Sequence, residues 1–247
     1  MSRPAGPVGP TVGPALGPAV SAAGVPGAPV GWQLHHIRGD AAALHARPLP
    51  DPAHRAVWVL EATAPALVLG STQAEGIVDR DAAARRGIAV VRRRSGGGVV
   101  LVEPTTMAWV DLIVPAGDPL WDHDVGRAAH WVGRSWQAAL ADLDLRPTEV
   151  HQGALACGPL GRLVCFGTVG SGEVTSTDGR KVVGVSQRRT RGAARFQCAA
   201  YARWDPAPLT ELLRLDAAGA GALRDAAVGV GHDPAALVEA LVRHLPA

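Results

Sequence analysis

Lys181 is the only lysine of the chain: of 24 basic side chains in 247 residues, the other 23 are arginine. Lysine carries a compact amine whose charge responds to its surroundings, whereas the arginine guanidinium is always charged. In a dry pocket, an ammonium stabilises the negative charge that develops on oxygen when an acyl carbonyl is attacked. A coding bias against lysine, indicated by the high alanine, glycine, proline and arginine content, would also explain its rarity. The residues around Lys181 must decide between these explanations.

A run of arginines and glycines forms a second candidate site. It consists of Arg92, Arg93, Arg94, Ser95, Gly96, Gly97 and Gly98. Glycine lacks a Cβ atom, so the backbone amides of such a run can approach a ligand closely. The adjacent arginines favour an anionic or strongly polar ligand, such as a phosphate. A glycine run is also common in ordinary turns, and neither a Walker loop nor a Rossmann fingerprint is present in this sequence.

Cys165 lies sixteen residues before Lys181. Taken alone, a cysteine in such an apolar stretch is most simply a small core residue on a buried strand. The chain has only two further cysteines, Cys157 and Cys198, and their spacing is not that of a metal site. An odd number of free thiols predicts a reducing compartment, and therefore a cytoplasmic protein.

The overall charge does not indicate binding to nucleic acid or to a membrane. The formal net charge is +2 and the pI about 8.7, too mild to argue for either partner. A basic stretch follows the lysine segment, and it is either a solvated face or a docking surface for an acidic protein. Because aromatic residues are not interleaved with it, we expect no nucleic acid partner. Its members are Arg188, Arg189, Arg191 and Arg195.

Asp122, His123 and Asp124 are the residues that could suggest a metal site. Adjacent side chains at the start of a helix rarely converge on one ion, so an N-cap role for an aspartate is the simpler interpretation. We expect no metal ligands in the chain.

Residues 1–30 are predicted to be a disordered tail, and residues 31–247 a folded domain with a helical segment from about 205. The tail repeats Gly-Pro with alanine and valine, which leaves no periodic apolar face to bury. Because no uninterrupted apolar stretch of signal-peptide length follows Arg3, we expect no signal peptide, and the frequent prolines argue against a membrane helix.

Strands and helices alternate through the predicted domain, and the glycine run lies between two strands. A turn at 177–179 leads into a strand that carries Lys181, Val183, Val185 and Gln187 on one face. The predicted strands are 56–61, 66–70, 88–91, 99–102, 107–114, 162–166, 173–176 and 181–187. The predicted helices are 74–87, 124–143, 208–215 and 234–245.

Three strings in the chain resemble one family. They are VLGSTQ at 68–73, RRRSGGGVV at 92–100 and GRKVVGVSQ at 179–187. They resemble the catalytic domains of lipoate-protein ligases and octanoyltransferases, whose patterns are R-R-x-S/T-G-G-G/R and G-R-K-V-x-G-x-x-Q. Two ordered motifs at the family's approximate separation are more specific than either motif alone. The resemblance covers the chain from roughly Trp32 to the C-terminus.

The resemblance implies an α/β (α+β) fold with a mixed β-sheet core flanked by helices, like that of biotin and lipoate protein ligases and class II synthetases. It implies attachment of an octanoyl or lipoyl group, in amide linkage, to the lysine of a lipoyl domain. The acceptors would be lipoyl domains of 2-oxoacid dehydrogenase complexes or the glycine cleavage H protein. Lys181 would be the essential amine. The acyl or nucleotide site would comprise Gln73, Arg92, Arg93, Ser95, Gly96, Gly97, Gly98, Gly184 and Gln187.

Two sources of acyl activation remain open under this resemblance. A cysteine-dependent transferase takes the acyl group from octanoyl-acyl carrier protein and needs no cofactor. Its V-C-F pattern matches 164–166, one residue farther from the lysine than in the family. A ligase activates free lipoate with ATP and Mg²⁺, and typically has an Asn-Asp pair where this chain has Gly172-Glu173. The Gly96-Gly97-Gly98 loop is the ligase-like version, but we favour the transferase with Cys165 as nucleophile.

Two departures from the family pattern keep a third alternative open. The chain has Val102-Glu103 where the family usually has His-Asp, and Gln197-Cys198 where it has His-Gly. Both places normally shape the acyl and adenylate pockets. A catalytically inactive homologue that binds an acyl group or a protein is therefore an alternative, although retention of the sole lysine in its motif argues against it.

Overall fold

The computed structural model describes residues 29–145 and 147–247. The predicted tail thus lies outside the described residues, apart from its last two. Twelve strands occur within these ranges, most of them rich in β-branched and aromatic residues. They are β1 (Gln33–Gly39), β2 (Ala56–Ala62), β3 (Ala66–Leu69), β4 (Ala89–Arg92), β5 (Val100–Val102), β6 (Met107–Pro115), β7 (Thr148–Val150), β8 (Ala156–Cys157), β9 (Thr168–Val169), β10 (Val174–Ser176), β11 (Lys181–Arg189) and β12 (Ala193–Tyr201).

Six α-helices accompany these strands in the described part of the chain. They are α1 (Ala41–Ala46), α2 (Arg80–Arg85), α3 (His130–Asp142), α4 (Ala207–Leu212), α5 (Ala217–Ala226) and α6 (Pro234–Arg243). Four of them begin with an aspartate N-cap whose side chain accepts a hydrogen bond from a first-turn amide. The caps are Asp40, Asp79, Asp216 and Asp233. No helix within the described ranges is long and apolar enough to cross a bilayer.

The strands form one large sheet and two small ones. The large sheet has the order β1-β2-β6-β12-β11-β10-β7, in which β1 and β2 are parallel and the other pairs antiparallel. The three-stranded sheet has the order β4-β3-β5, and β8 pairs with β9. The result is a mixed sheet flanked by helices, as the sequence predicts.

Strand β6, inside the large sheet, is buried on both faces, which shows how the layers stack. Alternate residues of β6 pack with α3 and α6 on one side and with the three-stranded sheet on the other. The outer face of the three-stranded sheet packs against α2, α4 and α5. The chain therefore forms four layers, and the candidate site lies between the two sheets.

Two predicted helices are shorter than their sequence patterns indicate. The segment 74–87 contains a short 3₁₀ turn (Glu75–Ile77), and α2 begins only after Asp79, whose carboxylate caps it. The segment 124–143 becomes helical only at His130, because the carboxylates of Asp122 and Asp124 accept hydrogen bonds from nearby amides and hold the chain in turns. The N-cap role expected for these aspartates is therefore wrong.

Several elements of the described residues were not indicated by the sequence patterns. They are β1 and α1 before β2, β7, β8 and β9 between α3 and β10, β12 after β11, and α5 after α4. β12 was missed because it alternates small and polar residues with only a few large apolar ones. Its burial in the middle of the sheet, between β6 and β11, comes from tertiary pairing.

Candidate functional site

A β-bulge at the start of β11 directs Lys181 toward the candidate site. Thr175 pairs with Lys181 and the adjacent Val174 pairs with Val183, so a step of one residue on β10 matches a step of two on β11. In an unbroken strand, Lys181 would lie on the same face as Val183. The extra residue shifts that alternation, and the Lys181 Nζ instead lies 5.4 Å from the centre of the Phe166 ring.

The Lys181 ammonium is fully buried between two acceptors. Its Nζ donates to the backbone carbonyl oxygen of Cys165 at 2.6 Å and forms an ion pair with Glu173 Oε2 at 2.6 Å. These are its only hydrogen-bond acceptors among the described residues. An ammonium has three N–H donors, so one donor is left for a substrate oxygen. Although Lys181 follows the turn at 177–179 closely, its exposed fraction is 0%.

Glu173 contacts Lys181, but the sequence did not mark it as a site residue. It stands near the place where ligases of the family typically have an Asn-Asp pair. The backbone amide of Gly170 donates to its Oε2 at 2.6 Å, and that of Val185 donates to Oε1 at 2.9 Å. The carboxylate is therefore held by the backbone on both oxygens before it meets Lys181. The signal that could have identified Glu173 is that it is an acidic residue between Cys165 and Lys181 in the sequence.

Cys165 begins a 3₁₀ turn (Cys165–Gly167) rather than lying within the predicted strand. Only Val164 makes an isolated bridge, to Val99, and the Cys165 amide donates to the Val99 carbonyl at 2.9 Å. The turn leaves the Cys165 side chain half-buried, and it lines a cavity between the sheets. The nucleophile candidate and the sole lysine are thereby joined through the Cys165 carbonyl.

Two glycines allow the arginine-glycine loop to lie directly against the Cys165 segment. A Cβ on Gly98 would lie 2.5 Å from the Val164 carbonyl carbon and 2.6 Å from the Cys165 nitrogen. A Cβ on Gly70 would lie 1.9 Å from the Gly97 carbonyl oxygen. Real Cβ atoms cannot approach so closely, so these positions require glycine for backbone packing.

The polar residues of the first two motifs hold the loop together instead of pointing at a ligand. Arg93 is buried and donates to the carbonyls of Gly96 and Gly98. Arg92 donates to the carbonyls of Gly70 and Gln73 at 2.9 and 2.7 Å. The Gln73 side chain in turn bonds the Gly70 amide and the carbonyls of residues 162–163.

The loop amides remain available to a ligand. Within the described residues, no protein acceptor takes a hydrogen bond from the amides of Gly96 or Gly97, and both residues are exposed. Gly97 has φ +100°, a left-handed conformation that favours glycine. Successive unpaired amides in such a loop suit a carbonyl or an anion.

A chain of four buried or half-buried polar side chains runs from β11 to α1 beside the cavity that Cys165 lines. Ser186 Oγ donates to Ser95 Oγ at 3.1 Å, and Ser95 Oγ donates to Gln197 Oε1 at 2.8 Å. Gln197 Nε2 lies 3.1 Å from His45 Nδ1. Burial, assisted by Arg93 and Arg195, lowers the pKa of His45 to about 3, so the ring is neutral and Nδ1 accepts. The remaining cavity measures about 30 Å³.

Gln187 and Gly184, both predicted site residues, lie on opposite faces of β11. Gly184 and Ser186 line the cavity. Gln187 pairs with Phe196, which packs against Trp131 of α3 on the other side of the sheet. The structure therefore does not bring Gln187 to the cavity.

The other two cysteines differ from Cys165 in exposure. Cys198 is fully buried in the sheet, and burial raises the pKa of its thiol to about 12. Cys157 is exposed on β8. Cys198 also lines the cavity, but of the three cysteines only Cys165 is half-buried and has its carbonyl bonded to the Lys181 ammonium.

The basic stretch is not one continuous surface. Arg195 is buried against Asp111, so the docking role considered for it is wrong. Arg189 stacks on Trp121, with its Cζ 4.0 Å from the ring centre. Arg188 is half-buried and Arg191 exposed.

The carboxylates of Asp122 and Asp124 lie on the same arginine. Both form ion pairs with Arg127. No cluster of three or more potential metal ligands occurs within residues 29–145 and 147–247.

Comparison with known proteins places this geometry in a family. The model of the lipoyl protein ligase A/B catalytic domain matches residues 41–234. A lipoate-protein ligase A bound with ATP has a TM-score of 0.62 at 17% identity, covering 86% of this chain and 82% of that one. A bipartite lipoate protein ligase from Thermoplasma acidophilum, solved in a study with its E2 lipoyl domain, has a TM-score of 0.65 at 16% identity, covering 85% and 80%. No curated protein matches.

At these identities the solved structures show a shared fold, whereas the family model matches the sequence itself across most of the chain. The matched range includes the arginine-glycine loop, Cys165, Glu173 and Lys181. The chain therefore belongs to the lipoyl protein ligase A/B catalytic domain family.

Proposed function

We propose that this protein transfers an octanoyl group from octanoyl-acyl carrier protein to the lysine of a lipoyl domain through a thioester on Cys165. One observation carries the proposal: the Lys181 ammonium donates to the backbone carbonyl of the residue that bears the candidate nucleophile. The thiol lines the cavity between the sheets, beside the arginine-glycine loop.

The proposed reaction has two acyl transfers. The Cys165 thiolate attacks the carbonyl carbon of the donor thioester, a new C–S bond forms, and the carrier thiol leaves. The amine of the acceptor lysine then attacks the acyl-cysteine, the amide C–N bond forms, and the Cys165 thiol is released. The remaining N–H of Lys181 and the amides of Gly96 and Gly97 are the donors that could stabilise the oxyanion.

The cavity that Cys165 lines must widen before it can hold an acyl chain. A cavity of about 30 Å³ holds about one water molecule, whereas ligand pockets measure on the order of 300 Å³ or more. The Ser95–Gln197 hydrogen bond links the loop to β12 beside this cavity. Movement of the loop would break this contact and enlarge the cavity, whose apolar lining includes Val100, Val102, Met107 and Trp109.

The environment of Glu173 supports the transferase over the ATP-dependent ligase. Mg²⁺ in a nucleotide site is commonly held by one or two carboxylates. Glu173 stands near the place of the ligase Asn-Asp pair, but both of its oxygens already accept hydrogen bonds from backbone amides, and one also binds Lys181. This carboxylate therefore does not fit a Mg²⁺ ligand.

The proposed partners follow from the family and from two structurally similar proteins. The Thermoplasma acidophilum enzyme was studied with its E2 lipoyl domain, and we propose lipoyl domains of 2-oxoacid dehydrogenase complexes or the glycine cleavage H protein as acceptors here. Free lipoate with ATP is the donor in the alternative, since lipoate-protein ligase A has been solved with ATP. We propose a cytoplasmic location, consistent with three unpaired cysteines.

The proposal is tested by following the mass of an apo lipoyl domain. The protein is incubated with either octanoyl-acyl carrier protein, or lipoate with ATP and Mg²⁺. We expect modification from the carrier protein alone. Cys165→Ala should abolish it, because the acyl-enzyme cannot form, whereas the matched control Cys157→Ala, at an exposed thiol, should retain it.

Modification only with ATP would refute the transferase and establish the ligase. Modification from the carrier protein by Cys165→Ala would refute the nucleophile. Binding of octanoate without any transfer under either condition would establish the inactive acyl-binding homologue.

A further inference from the structure

We propose that Glu173 keeps Lys181 protonated and thereby prevents the enzyme from acylating its own lysine. This inference rests on the proposed acyl-enzyme at Cys165. A thioester beside a neutral amine is unstable, because the amine attacks it and forms an amide. The structure places the sole amine side chain of the chain against the residue that would carry the thioester.

The side reaction would inactivate the enzyme. Neutral Lys181 Nζ would attack the acyl carbon on Cys165 Sγ, the C–N bond would form and the C–S bond would break. The thiolate would take up the proton lost by nitrogen. The products would be a Cys165 thiol and an acylated Lys181, which can neither deliver the acyl group nor donate as an ammonium. A protonated Lys181 has no lone pair and cannot start this reaction.

The geometry around Glu173 fits this protective role. Its Oε2 lies 2.6 Å from Lys181 Nζ, and the exposed fractions of the two side chains are 5% and 1%. A charge buried to this degree is stable only with a partner. Glu173 is the only acidic side chain that forms an ion pair with Lys181 among the described residues. The amides of Gly170 and Val185 prevent the carboxylate from turning away.

The sequence makes the reaction easy to detect. Because the chain has one lysine, an acyl group bound as a side-chain amide can lie only on Lys181. Hydroxylamine cleaves thioesters and leaves amides intact. Acylation of Lys181 also blocks tryptic cleavage before Val182, so the two adducts differ in stability and in peptide map, and an adduct on the N-terminal amine is recognised by its own peptide.

The experiment compares wild type with Glu173→Gln after incubation with octanoyl-acyl carrier protein and no acceptor domain. Wild type should carry a hydroxylamine-labile adduct on Cys165. Glu173→Gln should accumulate a hydroxylamine-stable adduct on Lys181 at a level about ten-fold or more above wild type, because the buried amine without its counter-ion becomes neutral. The double variant Glu173→Gln/Lys181→Arg should lose this adduct, and Glu149→Gln, an exposed carboxylate on β7, should behave as wild type.

A second variant guards against misfolding. Glutamine places an amide nitrogen opposite a backbone N–H group, so Glu173→Ala is measured in parallel and both are checked by circular dichroism. A labile Cys165 adduct without a stable Lys181 adduct in the folded variants would overturn the inference and leave the proposed function standing.

If wild type forms no Cys165 adduct, the transferase proposal fails and Glu173 is tested separately. p-Nitrophenyl octanoate acylates neutral amines without a protein thioester. Faster labelling of Lys181 in Glu173→Gln than in wild type would support protection by Glu173, and equal labelling would overturn it.

Discussion

Two buried cations on neighbouring strands, Lys181 of β11 and Arg195 of β12, use their hydrogen-bond donors differently. Arg195 binds Asp111 through Nε and Nη2, and also donates to the carbonyls of Leu44, His45 and Arg47. All five guanidinium donors are thereby occupied. Lys181 binds one carbonyl and one carboxylate and keeps one donor.

This difference indicates a structural role for Arg195 and a chemical role for Lys181. The Arg195 contacts join β12 and β6 to the C-terminal end of α1, where the carbonyls of a helix carry partial negative charge. Among the described residues, the Lys181 ammonium contacts only the segment that bears Cys165 and the carboxylate of Glu173. A cation with all its donors satisfied stabilises the fold, whereas a cation with one remaining donor can act on a substrate.

The largest effect on stability is expected from Arg195→Met. The substitution leaves Asp111 buried without its cation and removes the donors to the end of α1, so the free energy of unfolding should fall by about 3 to 5 kcal/mol. Urea unfolding followed by tryptophan fluorescence measures the change. The activity of the protein that remains folded should persist, and a loss of activity without a loss of stability would remove the distinction between the two cations.

Lys181→Arg should show the opposite pattern, with a loss of activity on the order of 100-fold. A guanidinium retains the charge but cannot fit the site of an ammonium held at 2.6 Å from two acceptors. The initial rate of octanoyl transfer to the lipoyl domain measures the effect, and the urea midpoint serves as the control. Transfer at the wild-type rate would show that Lys181 is a structural cation, like Arg195.

A smaller effect concerns pH, through His45 beside Arg195. In the folded protein its pKa is about 3, against 6.5 in an unfolded chain. Between these values the unfolded state binds a proton that the native state does not, so stability falls as pH falls below 6.5. The loss reaches about 2 kcal/mol at pH 5.

Comparison of wild type with His45→Gln tests this dependence. The variant removes the titrating group, so its unfolding free energy should change less between pH 6.5 and pH 5. If the free energy of unfolding changes equally with pH in the two proteins, then native His45 binds a proton without loss of stability. The polar chain beside the cavity would then be open in the native state.

The long, strongly patterned elements were predictable from local sequence because their residues repeat with a clear period. Strands β2, β3, β6 and β11 follow apolar runs, and α6 follows a helical pattern. Elements whose conformation depends on tertiary packing were not predictable from local sequence. β12 has few large apolar residues, and Cys165 lies in a 3₁₀ turn where its apolar neighbours predicted a strand.

Residue types and their spacing were enough to identify the family, the sole lysine and the order of loop, thiol and lysine along the chain. What these residues contact became known from the tertiary structure alone. The bulge in β11 turns Lys181 to the cavity side, Glu173 meets it across the hairpin, and Arg92, Arg93 and Gln73 bind backbone carbonyls. Such pairings join residues distant in sequence, and local patterns carry no information about them.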